Sequence, residues 1–388
     1  MEETSQQLLK EKADMDSQIE VLLGCSELAG TTELTELENA ILAYRTSHAR
    51  YIEEINKILN ITPPPPTPPT INRQGKVHFI ATDHEGASVL IQSSGGKNIL
   101  IDANERVTST QIINYLNSVG VTKLDYIIVT HYHSDHVGAM PDIMDAIECR
   151  NIVAYHREPD WSKMGDVEIN EWLTRWYYDE FIKKCNSKGI TLKTPTEKEV
   201  LSLGDGEYIK FFNTNNQGYE NYNNLSFGLL YVLGDSKCFL ANDMTYHSEN
   251  HIGKGVIGKV NLHMTGHHGW NYSTQEWFAK ELDAEYNIIT ALRINDETRK
   301  NARSVLQKNN LPIYSQASNG TIVATVKPSS VSIDKGVTDT LVNCWWQHGE
   351  TEDWYWWKNN GKLAKSETLY LGGKDYIFDS EGICQNPY

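Results

Sequence analysis

The chain has 388 residues, a length that predicts two or three domains. Its formal net charge of −16 and pI near 5.3 disfavour binding to a phosphate backbone, since the sequence shows no compensating Lys/Arg cluster. The sequence has no run of 18 apolar residues, and its six cysteines form no Cys-x-x-Cys pair. Neither a membrane span nor a zinc ribbon or disulfide framework is therefore expected.

Residues 1–61 form the first predicted region, which is helical with the spacing of a coiled coil. Seam residues recur at alternating intervals of three and four: Leu34, Leu37, Ile41, Tyr44, His48, Tyr51, Ile55 and Ile58. An amphipathic helix that packs on its own chain is the alternative. Because so short a region has little core of its own, we expect it to drive homo-oligomerisation. The polar, acidic residues 1–5 do not resemble a signal peptide.

A proline-rich linker, residues 62–71, follows the helical region. Six prolines between Pro63 and Pro69 favour the stiff polyproline II conformation. We interpret this segment as a spacer between an oligomerising helix and a catalytic domain. A ligand for a proline-recognising domain is the alternative interpretation.

Residues 72–338 are predicted to form the catalytic domain. Strand-like runs at 77–81, 88–92, 98–101, 124–129 and 152–154 alternate with helix-like ones. The run at 124–129 leads directly into a loop with four ligand-type side chains within six positions: His131, His133, Asp135 and His136. Such a loop can share two metal ions, one held by His131 and His133 and the other by Asp135 and His136.

An aromatic stretch between about residues 160 and 190 interrupts this domain. At helical spacing such a stripe more often belongs to a core than to a ligand cage. Aromatic faces beside a metal site would also attract a quaternary ammonium group, and Trp176 and Tyr178 are candidates for that role.

The C-terminal region, residues 339–388, has the pattern of short repeated hairpins. Aromatic strands, Gly/Asn turns and return strands recur with a period of about 20 residues.

The His-x-His-x-Asp-His pattern after a strand resembles the metal loop of the metallo-β-lactamase superfamily. Segments 100–102, 239–243 and 262–269 resemble three further motifs of that superfamily, in order. The resemblance implies an α/β fold, the αββα sandwich, with two divalent metal ions at one edge, expected to be zinc. It implies that Asp243 bridges the ions and that Asp102 orients a ligand histidine. Because adjacent residues of an extended segment point opposite ways, only one of His267 and His268 is expected to be a ligand.

The C-terminal hairpins resemble choline-binding, cell-wall-binding repeats, in which aromatic rings surround choline. The candidates for that role are Trp354, Trp356, Tyr370 and Tyr376. Both resemblances together point to the teichoic-acid phosphorylcholine esterases, and segments 123–131 and 257–262 are similar to that family. Segments 223–226 and 318–322 also resemble the DNA-uptake nuclease branch.

The expected function is metal-dependent hydrolysis of a phosphoric ester, releasing phosphorylcholine from a choline-decorated teichoic acid. Asp135, His267 and His268 are the expected catalytic residues, with the non-ligand histidine contacting a phosphoryl oxygen or the leaving group. A nuclease or cyclic-nucleotide phosphodiesterase of the same fold and a phage virion or tail adhesin are the alternatives. The expected partner is a choline-bearing wall polymer, without nucleic acid or membrane insertion, at the cell surface or on a phage virion.

Overall fold

A computed structural model describes residues 73–293 and 300–387 of the chain. The predicted coiled-coil region, residues 1–61, and the proline-rich linker, residues 62–71, lie outside the described residues, so both stay predictions. None of the helices in the described ranges combines the length and the hydropathy of a bilayer span.

The elements of the described ranges are labelled in chain order. The strands are β1 (Gly75–Phe79), β2 (Val89–Gln92), β3 (Asn98–Ile101), β4 (Tyr126–Ile128), β5 (Val153–Tyr155), β6 (Thr191–Lys193), β7 (Val200–Gly204), β8 (Glu207–Phe212), β9 (Gly228–Leu233), β10 (Ser236–Leu240), β11 (Leu262–Met264), β12 (Tyr286–Ile289), β13 (Ile313–Ser315), β14 (Ile322–Lys327), β15 (Ser330–Ile333), β16 (Cys344–Gln347), β17 (Trp354–Trp357), β18 (Glu367–Leu371) and β19 (Lys374–Phe378). The helices are α1 (Ser109–Ser118), α2 (Ser134–Val137), α3 (Met140–Ala146), α4 (Thr174–Lys188), α5 (Tyr246–Ile252), α6 (Glu276–Leu282), α7 (Lys300–Lys308) and α8 (Gln316–Asn319).

Two mixed sheets organise the described part of the chain. The first has the strand order β15-β14-β1-β2-β3-β4-β5-β6, and the second has the order β13-β12-β11-β10-β9-β8-β7. The five runs predicted as strands from the sequence each overlap one strand, β1 to β5, with ends that differ by at most two residues. The apolar side chains of these short runs are buried on both faces, which is the reason for their continuous apolar character.

The sheets pack face to face and carry helices on both outer faces. The inner core joins residues such as Val77 and Phe79 of the first sheet to Phe211 of the second. Helices α1, α3 and α4 cover the outside of the first sheet, whereas α5 and α6 cover the outside of the second. The layers therefore follow the order helix, sheet, sheet, helix, as the resemblance implied.

Parallel strands place the candidate site at one edge of this sandwich. Strands β3 to β6 run parallel in the first sheet, and β10 to β13 run parallel in the second. The carboxyl ends of β3, β4, β10 and β11 lead into the segments that contain Asp102, the 131–136 loop, Asp243 and the 266–269 turn. Because parallel strands end at the same edge of a sheet, these segments come together.

Of the two C-terminal hairpins, β16–β17 packs on the sandwich through aromatic side chains, and β18–β19 packs on β16–β17. Side chains alternate between the two faces of a strand, so Trp346, Tyr355 and Trp357 share one face of the first hairpin. This face packs against Val305 and Leu306 of α7. Burial of each indole removes on the order of 200 Å² from water, which stabilises the docked hairpin by several kcal/mol before entropic costs.

Three buried histidines that belong to neither group of potential metal ligands are expected to make the fold sensitive to acid. Burial lowers the pKa of His78, His156 and His263 to about 4 in each case. Each imidazole stays neutral in the folded chain while the unfolded chain takes up protons near pH 6.5. Stability is therefore lost as the pH falls from 6.5 to 4, by roughly 3 kcal/mol per histidine. The stability against urea, measured between pH 6.5 and 4, should fall as the pH is lowered. His263→Gln should reduce by about one the number of protons that the chain takes up on unfolding in this pH range. An unchanged proton uptake in the variant would contradict the assignment.

Candidate metal centre

The first group of potential ligands contains His131, His133 and Asp243. His131 and His133 follow β4, which ends at Ile128, and Asp243 follows β10. The His131 Nε2 atom lies 3.1 Å from His133 Nδ1 and 3.8 Å from Asp243 Oδ2. One carboxylate oxygen and two imidazole nitrogens thus converge on one point.

The second group contains Asp135, His136, Asp243 and His268. The Asp243 Oδ1 atom lies 2.9 Å from His136 Nε2 and 3.2 Å from His268 Nε2. The two imidazole nitrogens are 3.3 Å apart, and Asp135 Oδ2 lies 3.2 Å from His268 Nε2. Asp243 therefore directs one oxygen to each group, which is the geometry of a bridging ligand.

These distances fit a pair of divalent metal ions. Four ligands at about 2.0–2.1 Å in a tetrahedron lie roughly 3.3 Å from one another. The two imidazole pairs, separated by 3.1 and 3.3 Å, match that spacing. Imidazole nitrogens combined with carboxylate oxygens form a donor set that suits zinc and similar ions. His131, His133 and Asp243 would hold one ion, and Asp135, His136, Asp243 and His268 the other.

The charges of the two ligand groups also favour the binding of cations. Burial opposes charge on His136, but the carboxylates of Asp243 and Asp135 raise the pKa of His136 well above its usual value. Burial likewise opposes charge on Asp243, yet His136 and His268 hold the pKa of Asp243 well below its usual range. At His131 burial dominates and lowers the pKa. The ionised carboxylates thus create a buried negative region that protons or divalent ions must neutralise.

Asp102 occupies the supporting position that the resemblance implied. Its Oδ2 accepts hydrogen bonds from the Thr130 hydroxyl and from His136 Nδ1, each at 2.7 Å. The Thr130 backbone N–H donates to Oδ1 at 2.8 Å. With Nδ1 occupied, His136 must present Nε2 to the metal site, because a bound carboxylate fixes the tautomer and the ring orientation.

The conformation of the 266–269 turn differs from the expectation. His267 (φ 46°, ψ 48°) and His268 (φ 51°, ψ 22°) are both left-handed, so the segment is not extended and side-chain alternation does not apply. His268 joins the ligand groups, whereas His267 does not. The His267 Nε2 atom instead lies 3.0 Å from Asn223 Nδ2 and 4.0 Å from Asp243 Oδ2. Backbone strain of this kind persists where surrounding contacts enforce it, as they do in many active sites.

A cavity of about 750 Å³ opens beside these groups. Five acidic residues contribute to its wall: Asp135, Glu168, Glu171, Glu220 and Asp243. Aromatic residues also line it: Trp172, Tyr177 and Trp270. Among the described residues that line this cavity there is no lysine or arginine. The cavity, which we call the catalytic cavity, is therefore acidic and partly aromatic.

Sequence reasoning missed several residues of this cavity. Glu168 accepts a hydrogen bond from His133 Nε2 at 3.0 Å, and thereby directs His133 Nδ1 towards His131. The Trp270 ring stacks on His267, with centroids 5.6 Å apart. The sequence marks Asn223 only as part of segment 223–226, which resembles the DNA-uptake nuclease branch. No strand end or motif marks Glu168, which lies in a short π-helical turn of the insertion.

Three of the choline-binding candidates, Tyr178, Trp176 and Tyr370, do not line the catalytic cavity. Tyr178 is a core residue, packed in an edge-to-face arrangement on Tyr132 with centroids 5.0 Å apart. Trp176 is exposed but does not line the catalytic cavity, whereas Trp172 does. Tyr370 pairs with Asp375 and so lies on the opposite face of its hairpin from Tyr376, because side chains alternate along each strand.

The remaining aromatic candidates, Trp354, Trp356 and Tyr376, surround the indole of Trp345. The Trp345 ring lies 6.2 Å from that of Trp354, 5.2 Å from that of Trp356 and 4.9 Å from that of Tyr376. All three contacts are edge-to-face. The candidates therefore form a small core between the two hairpins, in which Trp345 occupies the centre.

Comparisons with known proteins agree with this geometry. A model of the metallo-beta-lactamase superfamily matches residues 81–192, which include the 131–136 loop. The chain is 23% identical over 263 residues to the ComE operon protein 3 of Bacillus subtilis, covering 64% of this chain and 31% of that protein. It is 27% identical over 132 residues to ribonuclease Z of Metallosphaera sedula, covering 30% of this chain and 43% of that protein. The chain thus spans less than half the length of either curated relative.

Solved structures give weaker likenesses. A subclass B3 metallo-beta-lactamase from a soil metagenome library, MEM-A1, is 14% identical, covers 49% of this chain and 76% of its own, and has a TM-score of 0.34. The assignment therefore rests on the family model and on the ligand groups. Together they show a similarity to the metallo-β-lactamase superfamily over residues 81–192, combined with ligand groups of the kind that a hydrolase-like metal centre requires.

Proposed function

We propose that the chain is a two-metal phosphoric ester hydrolase whose substrate carries a cationic group next to the phosphate. Phosphorylcholine attached to a wall polymer such as teichoic acid has this chemistry, with a quaternary ammonium two carbons from the ester oxygen. The enzyme would act either at the cell surface or as a component of a phage virion, and it would release phosphorylcholine from the polymer.

The composition of the catalytic cavity is the observation that carries this proposal. Carboxylates at its wall attract a cation, and the attraction is stronger in a recessed site than in bulk water. A quaternary ammonium has no hydrogen-bond donor, so aromatic faces such as Trp172 and Trp270 are its available partners. The same wall repels the polyanionic backbone of a nucleic acid.

The residues around the ligand groups would have different roles in hydrolysis. Divalent ions, when bound, would neutralise phosphoryl oxygens and lower the pKa of a water molecule. Asp102 and Glu168 fix the orientation of His136 and His133. His267 faces the catalytic cavity without belonging to a ligand group, so its imidazole can contact a phosphoryl oxygen or the departing alcohol. Trp270 stacks on His267 and keeps that ring in place.

A nuclease is the second candidate function. The similarity to a protein named ribonuclease Z favours it, as does the longer match to the ComE operon protein 3. Within the described residues that line the catalytic cavity, however, no basic side chain is available to receive neighbouring phosphates.

Replacement of Trp172 tests recognition of the cation. Trp172 is 52% exposed and lines the catalytic cavity, so Trp172→Ala should raise the KM for p-nitrophenylphosphorylcholine by about 2- to 30-fold, the range of one cation–π contact. The KM for the uncharged 3,3-dimethylbutyl analogue should change much less. Steady-state kinetics on both esters measures the difference.

Trp176→Ala is the matched control, because Trp176 is 43% exposed, lies four residues away and does not line the catalytic cavity. Its kinetics on both esters should equal those of the unaltered protein. Equal losses on the charged and uncharged esters in Trp172→Ala would refute cation recognition by this residue.

A further inference from the structure

A second cavity, of about 280 Å³, lies between the segment after the 266–269 turn and the first C-terminal hairpin. We call it the hairpin cavity. Asn271 and Tyr272 contribute from the turn side, and Gln347, Glu352 and Trp354 contribute from the hairpin side, with Lys300 of α7 also at the wall. Its volume lies just below the range for small-molecule sites, about 300–1,000 Å³, and suits a group the size of one sugar ring.

The hairpin cavity and the catalytic cavity are neighbours along the chain. Trp270 lines the catalytic cavity, and the next two residues, Asn271 and Tyr272, line the hairpin cavity. Successive Cα atoms are only about 3.8 Å apart, so the two cavities lie on either side of one short segment. The Tyr272 carbonyl accepts a hydrogen bond from the Tyr246 backbone N–H at 2.6 Å, which holds this segment in place. A polymer that leaves the catalytic cavity past Trp270 would meet the hairpin cavity next.

The chemistry of the hairpin cavity differs from that of the catalytic cavity. Among the described residues that line it, one lysine and one glutamate balance the formal charge, and the amides of Asn271 and Gln347 add both donors and acceptors. The Trp354 Nε1 atom is buried and has no hydrogen-bond partner in the described protein. The Tyr272 ring is 63% exposed. A sugar ring matches these groups. Its hydroxyl groups can both donate to and accept from the amides and the indole N–H, and its face can lie against an aromatic ring.

We propose that the hairpin cavity is a second substrate subsite, which binds a neutral sugar unit of the polymer whose phosphoric ester is hydrolysed in the catalytic cavity. This inference rests on the proposed function, because it assumes a polymeric phosphoric ester. It assigns the first C-terminal hairpin a direct part in binding the substrate. A sugar is favoured over a nucleotide because a nucleotide would bring a further phosphate to a cavity whose described lining residues include a single lysine.

Direct binding of phosphate-free sugars to the full-length protein tests this subsite. The probes are the methyl glycosides of glucose, galactose and N-acetylglucosamine, measured by saturation-transfer NMR and calorimetry, with an oligothymidylate as the nucleic-acid probe. At least one glycoside should bind saturably. Tyr272→Ala and Gln347→Ala, on opposite sides of the cavity, should each weaken binding by about fivefold, the effect of one lost contact. Both variants should also lower kcat/KM for the wall polymer relative to kcat/KM for a small soluble ester.

Tyr370→Ala is the matched control, since Tyr370 is 72% exposed on the second hairpin and does not line the hairpin cavity. Its sugar binding should be unchanged. The inference is overturned if no glycoside binds, if the control loses as much affinity as the test variants, or if oligothymidylate binds and the same variants abolish that binding. Sugar binding needs no hydrolysis, so a chain that binds glycosides but cleaves no phosphoric ester would refute the proposed function alone.

Discussion

Asp243→Ala is expected to lose most of the bound metal and to reduce hydrolysis of a small phosphoric ester by more than about 100-fold. The side chain is almost fully buried and directs one oxygen to each ligand group, so its loss removes a ligand from both. Loss of a residue that merely supports a ligand already costs about 10–100-fold in metal affinity or activity, and a shared ligand should cost more. Elemental analysis of the metal-replete protein should give about two equivalents, as a two-metal site requires.

His247→Ala provides the control for this experiment. His247 lies only four residues further along the chain and belongs to neither ligand group. This variant should keep both equivalents of metal and its activity. Full metal content in Asp243→Ala would show that Asp243 does not bridge two ions, and the two-metal account would fail.

Asn301→Ala is expected to give the second large effect, on both stability and activity. The buried Asn301 amide joins three parts of the structure. Its Nδ2 donates to the Tyr246 hydroxyl at 2.5 Å and to the Ser273 carbonyl at 3.1 Å, and its Oδ1 accepts from Trp346 Nε1 at 3.4 Å and Gly349 N at 3.1 Å. Removal of the amide leaves these groups without a partner, at about 1–3 kcal/mol for each buried group.

The position of these partners explains why activity should also fall. Ser273 donates its hydroxyl hydrogen bond to the Gly266 carbonyl at 2.9 Å, so Asn301 supports the turn that contains His267 and His268 through Ser273. We expect a lower kcat, a lower unfolding temperature and weaker protection of the first hairpin in hydrogen exchange. Asn360→Ala, in the exposed turn that follows β17, should change none of these. An Asn301→Ala protein with normal kcat would show that the hairpins and the catalytic turn are independent.

The sequence could predict the metal centre because its ligands follow strands. The apolar run that became β4 marks the start of the 131–136 loop, and the run that became β10 marks Asp243. Parallel strands then bring these loops to one edge without any knowledge of the connecting segments. The position of Asp102 after β3 follows from the same rule.

The remaining parts of the site depend on conformations that local sequence does not determine. His267 and His268 are left-handed, an arrangement that tertiary contacts impose against the preference of non-glycine residues. Glu168 reaches His133 from an insertion with no periodic signal. The sequence of the first hairpin does indicate how its aromatic side chains are arranged. Trp345 and Trp346 are adjacent, so they must lie on opposite faces of one strand. Two aromatic faces on one short hairpin indicate that both faces pack against other parts of the chain.

The substrate preference of the full chain tests the central claim most directly. Initial rates are measured at equal metal loading on p-nitrophenylphosphorylcholine, bis-p-nitrophenyl phosphate and single-stranded DNA. These substrates are a diester with a cationic group, a diester without one and a polyanion. The acidic, aromatic wall of the catalytic cavity predicts the highest kcat/KM for the choline ester and the lowest rate for DNA. Faster hydrolysis of DNA than of the choline ester would contradict the account and favour the nuclease.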